Sequence, residues 1–456
     1  MGLFKAYDIR GIYGRELTDA FAYDLGKTIV LYTKPKSVVI GYDSRTSNLR
    51  LFSAFSRAFI EQGIDVIHAG LVTRPMLNWI AFSHHISLGI IISASHNPRE
   101  YNGFKFLWNS RPLAYDNGLQ HVEKLMAQKA FATLKPKKKS AQGKIISRDY
   151  IDEYVAFLSS HYTAASKKSG LHIVADVSNG AAGEIVKRLL EKYAFSHTLL
   201  FAEPDGNFPC HNPNPLDNNA LIVLSNTVIK EKADFGFIVD PDADRVRFVD
   251  ECGKIVDNSY IQTLVAKQLL RKHKHAAIVH DMVSRRVYAE IIRRSGGKEI
   301  VSKVGTAYII ENMLKNKAVF GSEASGHCYF KTLNSLDSGL LMMVQVTNLL
   351  SSENKRLSTL VKPLNKYDNL NGEMNYHVKN NAETLQKIYA HYKKNKKKLH
   401  AKISTLDGVS VVMRAAWFSM RASNTEPLLR LRVEGKTRKD AERLKQEIEK
   451  LIHKHA

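Results

Sequence analysis

Ser95, His96 and Lys105 lie in one short segment, IISASHNPREYNGFK, at residues 91–105. A hydroxyl, an imidazole and an ammonium group this close together can supply a nucleophile, a base and a cation that stabilises negative charge. Ser93 is a competing hydroxyl two positions before Ser95. The apolar run that precedes the segment predicts a buried strand that delivers these side chains into a loop. A histidine that only hydrogen-bonds the backbone remains the alternative for His96.

Three aspartates, Asp240, Asp242 and Asp244, alternate along DPDADR and are followed by Arg245. Carboxylates this close repel one another, which makes a bare cluster electrostatically costly. A hard divalent cation removes this cost, and Mg²⁺ prefers oxygen ligands, with its remaining positions taken by water or phosphate. The spacing is not that of an EF-hand loop. The pattern therefore predicts a Mg²⁺ site, with a solvated acidic turn as the alternative.

A third polar segment, GSEASGH at residues 321–327, carries Glu323, Ser325 and His327 between small residues. Its two glycines allow the backbone to approach a ligand closely. The polar side chains are suited to pairing with vicinal hydroxyls, as in a sugar. A tight turn that caps a helix is the alternative interpretation.

A fourth segment, RASNTEPLLR at residues 421–430, is rich in hydrogen-bond donors. Two guanidinium groups together with hydroxyl and backbone donors match a phosphate dianion. A turn stabilised by its own Asn or Ser side chain is the alternative. The candidate phosphate ligands are Arg421, Ser423, Asn424, Thr425 and Arg430.

Short apolar strands alternate with helical patterns through the first two thirds of the chain, which indicates α/β units. A helical pattern covers residues 48–62. The strands are predicted at residues 37–43, 64–70, 87–95, 171–183 and 275–282.

The C-terminal part has a different pattern. LLRLRVEG at residues 428–435 alternates apolar and charged residues, which predicts a half-solvated strand. The helix that follows opens with Thr437 and Asp440 in a capping pattern. A small α+β terminal domain is expected, and two segments of linker-like composition, 127–147 and 361–382, are predicted to be domain boundaries.

The chain length, the longest apolar run and the cysteine count restrict the class of protein. A chain of 456 residues is too long for one core and predicts three or four domains. No apolar run approaches the roughly 20 residues that cross a bilayer, and the N-terminus lacks a secretory pattern. Three widely spaced cysteines, without a CxxC pair, suit reduced thiols. We therefore expect a cytoplasmic protein with no membrane partner.

A net charge of +23 favours anionic ligands. Much of the excess lies in lysine clusters at residues 135–139 and 393–398. Such clusters most often form a solvated surface. Nucleic acid is the less favoured partner, because the clusters lack interleaved aromatic residues for base stacking. No pattern in the sequence indicates an oligomeric state.

Together with FKAYDIRGIYG at residues 4–14, these motifs resemble those of the α-D-phosphohexomutase family, which includes phosphomannomutase and phosphoglucomutase. The match runs from end to end, in the same motif order. The resemblance implies that Ser95 carries a phosphoryl group, that Arg10 is the conserved N-terminal arginine, and that DPDADR binds Mg²⁺ together with an oxygen of phosphoserine. It also implies that GSEASGH binds the sugar and RASNTEP its phosphate.

The resemblance implies a fold of four domains around a central cleft: three related α/β domains with mixed sheets and a smaller C-terminal α+β domain. The expected ranges are 1–140 with the phosphoserine loop, 141–252 with the metal loop, 253–365 with the sugar loop and 366–456 with the phosphate loop.

The implied activity interconverts hexose 1-phosphate and hexose 6-phosphate through a phosphoserine enzyme and a hexose 1,6-bisphosphate intermediate. Lys303 and Thr306 are expected to line the site, but Thr306 stands where a histidine is common in the family, and a cationic position is absent at Val283. Mannose and glucose therefore both stay open as sugars, with phosphoglucosamine mutase as the alternative. Lys105 and His327 are the candidate bases, with Lys105 preferred.

Two other functions fit parts of the pattern. A phosphatase can also use a serine and magnesium, but it does not need the second phosphate site at residues 421–430. A nucleic-acid-binding protein on a degenerate mutase scaffold agrees with the charge, but not with the presence of every expected chemical residue.

Overall fold

The computed structural model describes residues 2–163, 170–423 and 428–455. The chain forms two compact units, one of Met1–Asn258 with Ser325–Ser358 and one of Ser259–Ala324 with Thr359–Ala456. Within the described ranges, no helix combines the length and the apolar character that a membrane crossing requires.

The first unit begins with a mixed sheet whose central strands are parallel. Its order is β1-β5-β4-β2-β3-β7, with β6 paired to β5. The buried side chains of Leu25, Phe55 and Phe104 join helices α1 and α2 to this sheet. The elements are β1 (Ile9–Ile12), α1 (Asp19–Thr33), β2 (Ser37–Tyr42), α2 (Asn48–Ile60), β3 (Asp65–Leu71), α3 (Arg74–Ser83), β4 (Leu88–Ile92), β5 (Tyr101–Trp108), β6 (Arg111–Pro112), α4 (Leu119–Ala127), β7 (Ile145–Ser147) and α5 (Ile151–Ser160).

A second mixed sheet follows in the same unit, with the order β12-β11-β10-β8-β9. Strands β9, β8 and β10 are parallel, and the β10–β11 hairpin is antiparallel. Every residue of the central strand β10 is buried, so the strand holds the start of the following loop in place. This loop, DPDADR at residues 240–245, is called the acidic loop below. The elements are β8 (His172–Asp176), α6 (Gly183–Lys192), β9 (Ser196–Leu200), α7 (Ala220–Lys230), β10 (Phe235–Val239), β11 (Val246–Asp250) and β12 (Ile255–Val256).

The third stretch of chain contributes to both units. In the second unit, β13 pairs in parallel with β14 and with β15. In the first unit, β16 and β17 form an antiparallel pair before helix α11, most of which is buried. The elements are α8 (Asn258–Lys272), β13 (Ala277–Asp281), α9 (Arg286–Arg294), β14 (Lys298–Ser302), α10 (Thr306–Lys315), β15 (Phe320–Ser322), β16 (Cys328–Phe330), β17 (Leu336–Asp337), α11 (Gly339–Glu353) and α12 (Leu357–Val361).

The C-terminal part of the second unit is an antiparallel sheet of order β18-β22-β21-β20-β19, with two helices. One sheet face packs against these helices in a core that includes Phe418, Leu431 and Ile448. Thr437 accepts a hydrogen bond from the backbone of Asp440, as the capping pattern predicted. The elements are β18 (Asp368–Tyr376), α13 (Asn381–Asn395), β19 (Lys402–Ser404), β20 (Val409–Val412), β21 (Ala416–Ala422), β22 (Leu429–Gly435) and α14 (Arg438–His455).

Composition alone missed two strands. The segments of linker-like composition, 127–147 and 361–382, each contain a strand, β7 beside β3 and β18 beside β22. Strand β22 begins with alternating buried and partly exposed residues, as its sequence predicts, and its partly exposed Arg430 and Arg432 donate to Glu373 and to the Val283 carbonyl. Polar composition thus misidentified sheet strands whose side chains find partners within the protein.

Candidate active site

The Ser95 loop follows β4, whose five residues are all buried, and returns into β5. Ser95 has a left-handed backbone with φ of 51° and is 1% exposed. Its Oγ donates to Oδ2 of Asp240 at 2.7 Å and lies 3.3 Å from Nδ1 of His96. The neighbouring Ser93 accepts from the Ser95 backbone at 2.8 Å and donates to Asp242 at 3.1 Å. The Ser95 hydroxyl thus points toward the acidic loop, and Ser93 links the Ser95 loop to the acidic loop by hydrogen bonds.

The acidic loop follows the buried strand β10 and brings three carboxylates together. Asp240, Asp242 and Asp244 are each at most 1% exposed, and each offers an oxygen within 4.8 Å of the others. Lys105 Nζ lies 2.6 Å from Asp242 and 3.0 Å from Asp244. Arg74 adds a second cation, 2.8 Å from Asp244. Two fixed cations therefore offset part of the repulsion among the three aspartates.

The surroundings shift the pKa values of Asp240 and Asp244 in opposite directions. Burial raises the pKa of Asp240 well above its usual value, and the charges of Asp244 and Asp242 raise it further. Burial alone also raises the pKa of Asp244, but Lys105, His327 and Arg74 outweigh burial and hold that pKa well below the usual range. Burial lowers the pKa of Lys105, yet the two aspartates outweigh it and the pKa is raised, so this ammonium stays protonated.

His327 lies beside the acidic loop, because residues 327 and 245 form a backbone bridge. Arg245 Nε donates to His327 Nε2 at 3.3 Å, and Ser325 Oγ lies 2.8 Å from Nδ1. The same Nε2 lies 3.3 Å from Oδ1 of Asp244, so the ring stands between a guanidinium and a carboxylate. His96 is neutral near pH 7, since burial first, then Arg245 and Arg10, lower its pKa well below the usual value.

Arg10 joins the Ser95 loop from the neighbouring strand. It lies on β1, opposite Gly103 of β5. Its guanidinium contacts the side chains of Asp8 and Asn97. Burial lowers the pKa of Arg10, but Asp8, Asp242 and Asp244 outweigh burial and raise it. The positive charge of Arg10 is therefore fixed at the base of the Ser95 loop.

Arg45 was not singled out in the sequence, yet it holds the Ser95 loop in shape. Its side chain has no exposed surface and donates to four carbonyl groups of the loop. The four acceptors are Ser95 at 2.7 Å, Asn97 at 2.6 Å, Pro98 at 2.7 Å and Tyr101 at 2.8 Å. Asp43, two residues earlier, orients the guanidinium. An Asp and an Arg two residues apart at the end of a buried strand were the available signal.

The loop between β9 and α7 covers Arg45. The Phe208 ring lies 5.1 Å from the guanidinium carbon, and Gly206 is so close that a Cβ would lie 2.6 Å from the Arg45 Cα. His211 anchors the same loop through Asp176, with Nε2 3.1 Å from the carboxylate. Burial alone lowers the pKa of His211, but the Asp176 carboxylate outweighs it and the pKa is raised.

The His211–Asp176 pair predicts a pH-dependent contribution to stability. Because the folded-state pKa lies above the unfolded value, the stabilisation is complete below about pH 6.5 and is lost as the pH rises through the folded pKa. His211→Gln should therefore lower the melting temperature more at pH 6 than at pH 9, as measured by calorimetry. His197→Gln, on β9, is the control. An equal loss at both pH values contradicts the prediction.

Comparisons with known proteins agree with this geometry. Four models of phosphoglucomutase/phosphomannomutase match the chain: alpha/beta/alpha domain I at residues 1–133, domain II at 148–253, domain III at 257–367 and the C-terminal domain at 373–451. The phosphomannomutase of Methanocaldococcus jannaschii is 35% identical over 453 residues, which cover 99% of this chain and 98% of that protein. The chain belongs to the phosphoglucomutase/phosphomannomutase family. The domain limits expected at residues 140, 252 and 365 stay a prediction.

Further relatives agree with the family assignment. A phosphomannomutase of Escherichia coli is 33% identical over 439 residues and covers 95% of each chain. The crystal structure of a phosphoglucomutase/phosphomannomutase family protein from Burkholderia thailandensis aligns with a TM-score of 0.88 at 26% identity, over 98% of this chain and 96% of that one. A Paramecium phosphoglucomutase, parafusin, shares the fold with a TM-score of 0.76 at 15% identity, over 94% and 91% of the two chains. The family has the four-domain fold of three mixed α/β domains and a C-terminal α+β domain.

The structure divides the expected sugar-binding segment of this family member between its two units. Ser325 and His327 belong to the first unit, with the acidic loop, and Glu323 belongs to the second. Glu323 is 3% exposed and accepts from the backbone of Gly305 at 2.6 Å, which fixes the start of α10 at Thr306. Lys303 lies in the same turn, with Nζ 5.4 Å from the Tyr308 ring.

The expected phosphate site is built on two neighbouring strands of the second unit. Arg421 on β21 and Arg430 on β22 face each other in register. The Glu373 carboxylate lies between them, with Oε2 3.6 Å from the Arg421 guanidinium and Oε1 3.2 Å from that of Arg430. Two guanidiniums against one carboxylate leave a net positive charge for an anion. Ser423 closes the turn with a backbone bond to Leu428, whereas Asn424 and Thr425 lie outside the described residues.

The acidic cluster suits a divalent ion. Oδ1 of Asp242 is buried and accepts no hydrogen bond within the described ranges, and the same is true of Oδ1 of Asp244. A buried acceptor without a partner is costly, and a cation satisfies it. Asp337 forms a second possible ligand set with Asp244 and His327. The set of Asp240, Asp242 and Asp244 fits Mg²⁺ better, because it offers only carboxylate oxygens, whereas the second set includes an imidazole nitrogen.

Proposed function

We propose that this protein is a phosphohexomutase that interconverts hexose 1-phosphate and hexose 6-phosphate, with Ser95 as the phosphoryl carrier. One observation carries the assignment. The buried Ser95 hydroxyl, 2.7 Å from Asp240, meets a cluster of three carboxylates that is already held by Lys105. Phosphoryl transfer depends mainly on positioning and on charge stabilisation, and both requirements are met at this point.

The reaction needs two transfers at one serine. In the first, a sugar hydroxyl attacks the phosphorus of phosphoserine, its proton passes to a base, and the bond from phosphorus to Ser95 Oγ breaks. The sugar then carries two phosphates, as a hexose 1,6-bisphosphate. In the second transfer, after the bisphosphate turns over in the site, Ser95 Oγ attacks the phosphorus of its other phosphate. The bond from that phosphorus to the sugar oxygen breaks, and the sugar oxygen takes up a proton in exchange for the one that Ser95 Oγ gives up. The Asp240 hydrogen bond orients Oγ for this attack, and Arg10 and Arg245 share the negative charge.

The base for the sugar hydroxyl is better assigned to His327 than to Lys105. The raised pKa of Lys105 keeps its ammonium protonated, which suits charge stabilisation and not proton removal. His327 is the remaining candidate, because an imidazole can accept a proton near neutral pH, and its Nε2 lies 3.3 Å from Arg245 Nε and 3.3 Å from Oδ1 of Asp244. This reverses the preference drawn from the sequence and makes Lys105 the partner of the phosphoryl oxygens.

Mg²⁺ is the proposed metal, held by Asp240, Asp242 and Asp244, and when bound it withdraws charge from the phosphoryl oxygens. Arg421 and Arg430 are the proposed ligands of the sugar's other phosphate. Binding of that phosphate orients the reacting hydroxyl. Lys303, Thr306, Glu323 and Ser325 are the proposed sugar contacts. The relatives named phosphomannomutase favour mannose and glucose phosphates over glucosamine phosphate.

The direct test is to supply the 1-phosphates of mannose, glucose and glucosamine side by side and to measure 6-phosphate formation together with free phosphate. A mutase forms 6-phosphate and releases little free phosphate. Release of free phosphate alone contradicts the proposal and indicates a phosphatase. Fastest turnover of glucosamine 1-phosphate selects the alternative sugar.

Removing divalent ions should stop the exchange. Thorough chelation is expected to lower turnover at least about 10³-fold, because the phosphoryl oxygens lose their strongest charge partner. Adding Mg²⁺ back should restore turnover, and adding Na⁺ at equal ionic strength should not. Full activity of a chelated sample, with metal content checked by mass spectrometry, excludes the proposed metal role.

A further inference from the structure

A second cavity lies in the second unit, apart from the residues assigned to the reaction. It has a volume of about 570 Å³, within the range of roughly 300–1,000 Å³ that is typical of small-molecule sites. One wall comes from β13, β14 and α9, and the other from β19, β20 and β21. Neither the acidic cluster nor the arginine pair Arg421 and Arg430 lines it.

Strand periodicity explains the second wall. Side chains alternate between the two faces of a strand. Val411 and Phe418 point into the core beneath α13 and α14, so their neighbours Val412 and Trp417 face the other way. The same alternation places Lys402 on the cavity side of β19. The cavity wall is therefore the outer face of the C-terminal sheet.

The lining is strongly positive. Four arginines and one lysine face the cavity, against one glutamate. Three of these cations have carboxylate partners: Arg285 contacts Glu434, Arg286 contacts Glu290, and Arg293 contacts Glu299. Lys402 and Arg414 are exposed, and neither forms an ion pair within the described residues. These two cations supply the excess charge.

The remaining lining combines five polar residues, two of them histidines and three of them serines, with an apolar part that includes Val301, Leu406, Val412 and Trp417. Trp417 is 6% exposed, and its indole donates to Ser410 at 3.2 Å, which fixes the ring at the cavity wall. Cations beside an apolar wall fit a ligand that has both an anionic group and an apolar or aromatic body. Inorganic phosphate or pyrophosphate would contact only the cations and would leave the apolar wall without a partner.

We propose that this cavity binds an organic phosphate with at least two negative charges and an apolar or aromatic body, separately from the sugar phosphate. Lys402 and Arg414 contact its phosphates, and the wall formed by Leu406, Val412 and Trp417 contacts its body. The ligand bridges two sheets, so its binding also stabilises the second unit by mass action.

ADP is the probe, with inorganic pyrophosphate for comparison, and binding to the full chain is measured by calorimetry, with intrinsic tryptophan fluorescence as a second readout. We expect ADP to bind more tightly than pyrophosphate, with saturating glucose 1-phosphate leaving the ADP affinity unchanged. The double variant Lys402→Glu/Arg414→Glu should weaken ADP binding at least about tenfold. Ser404→Trp, which fills the cavity without a change of charge, should weaken it comparably.

The matched control is Lys439→Glu/Arg443→Glu, which makes the same charge change on exposed positions of α14. Circular dichroism and thermal unfolding check that each variant is folded. The proposal is wrong if the cavity variants and the control bind ADP equally, if sugar phosphate displaces ADP, if pyrophosphate binds as tightly as ADP, or if millimolar ADP gives no signal. None of these outcomes depends on whether the chain is a mutase.

Discussion

Ser95→Ala is expected to lower sugar-phosphate interconversion by at least about 10⁴-fold, with little change in folding. Loss of a nucleophile typically has an effect of this size, because the remaining groups cannot form the covalent intermediate. The substitution removes one buried hydrogen bond, to Asp240, which is a cost of about 1 kcal/mol. The measurement is turnover of glucose 1-phosphate, together with the phosphate content of the purified protein by mass spectrometry.

Ser93→Ala is the matched control, two residues away in the same loop. Ser93 Oγ accepts from the Ser95 backbone and donates to Asp242, so its loss should loosen the loop and reduce turnover about tenfold to 100-fold. The phosphate should still be found on Ser95. Parental turnover of the Ser95→Ala protein, or phosphate on Ser93 instead, ends the assignment of Ser95 as carrier.

Arg45→Ala should produce the second largest loss, although Arg45 itself does not touch the reacting groups. Four carbonyls of the Ser95 loop lose their donor, and a buried polar group left unpaired costs about 1–3 kcal/mol. We expect several kcal/mol of lost stability and a kcat that is about 10²-fold to 10³-fold lower, since small displacements of a reacting atom are that costly.

The conservative change Arg45→Lys distinguishes positioning from simple unfolding. Lysine keeps the charge, but it has three donors on one atom and cannot span four carbonyls. Its kcat should stay well below the parental value with KM nearly unchanged, at temperatures where calorimetry shows a folded protein. Arg50→Ala, which removes an exposed arginine paired only with Asp19, is the control. A parental kcat for Arg45→Lys contradicts the positioning role.

The chemistry of the site could be predicted from the sequence where one loop carries it. Ser95 and the three aspartates each follow an apolar strand, Lys105 lies on the next strand β5 rather than in the loop expected for it, and the structure brings these side chains together. Arg45 and Arg74 could not be found in this way. Arg45 contacts carbonyls some 50 residues later, and Arg74 contacts Asp337, 263 residues away, so their roles depend on the tertiary fold.

The fold was predictable where apolar periodicity is strong. The apolar runs of β2 and β4, which are buried on both faces, and of the partly buried β3 predicted all three strands to within three residues at each end. Strands β7 and β18 were missed, since lysine- and asparagine-rich composition indicates loops. Both occupy sheet edges, where one side of the strand needs no partner and polar residues are tolerated. The alternation predicted for β22 is found over Leu429–Arg432, where buried leucines alternate with partly exposed arginines.

The cations around the acidic loop have one more consequence. Lys105 and Arg74 contact Asp242 and Asp244 through ordinary side-chain bonds, so the polypeptide itself already offsets part of the mutual repulsion. Folding of this region then does not require an ion, unlike that of a zinc finger. In a cell depleted of divalent ions, the protein would therefore stay folded but inactive. Restoring the ions would restore activity without synthesis of new protein.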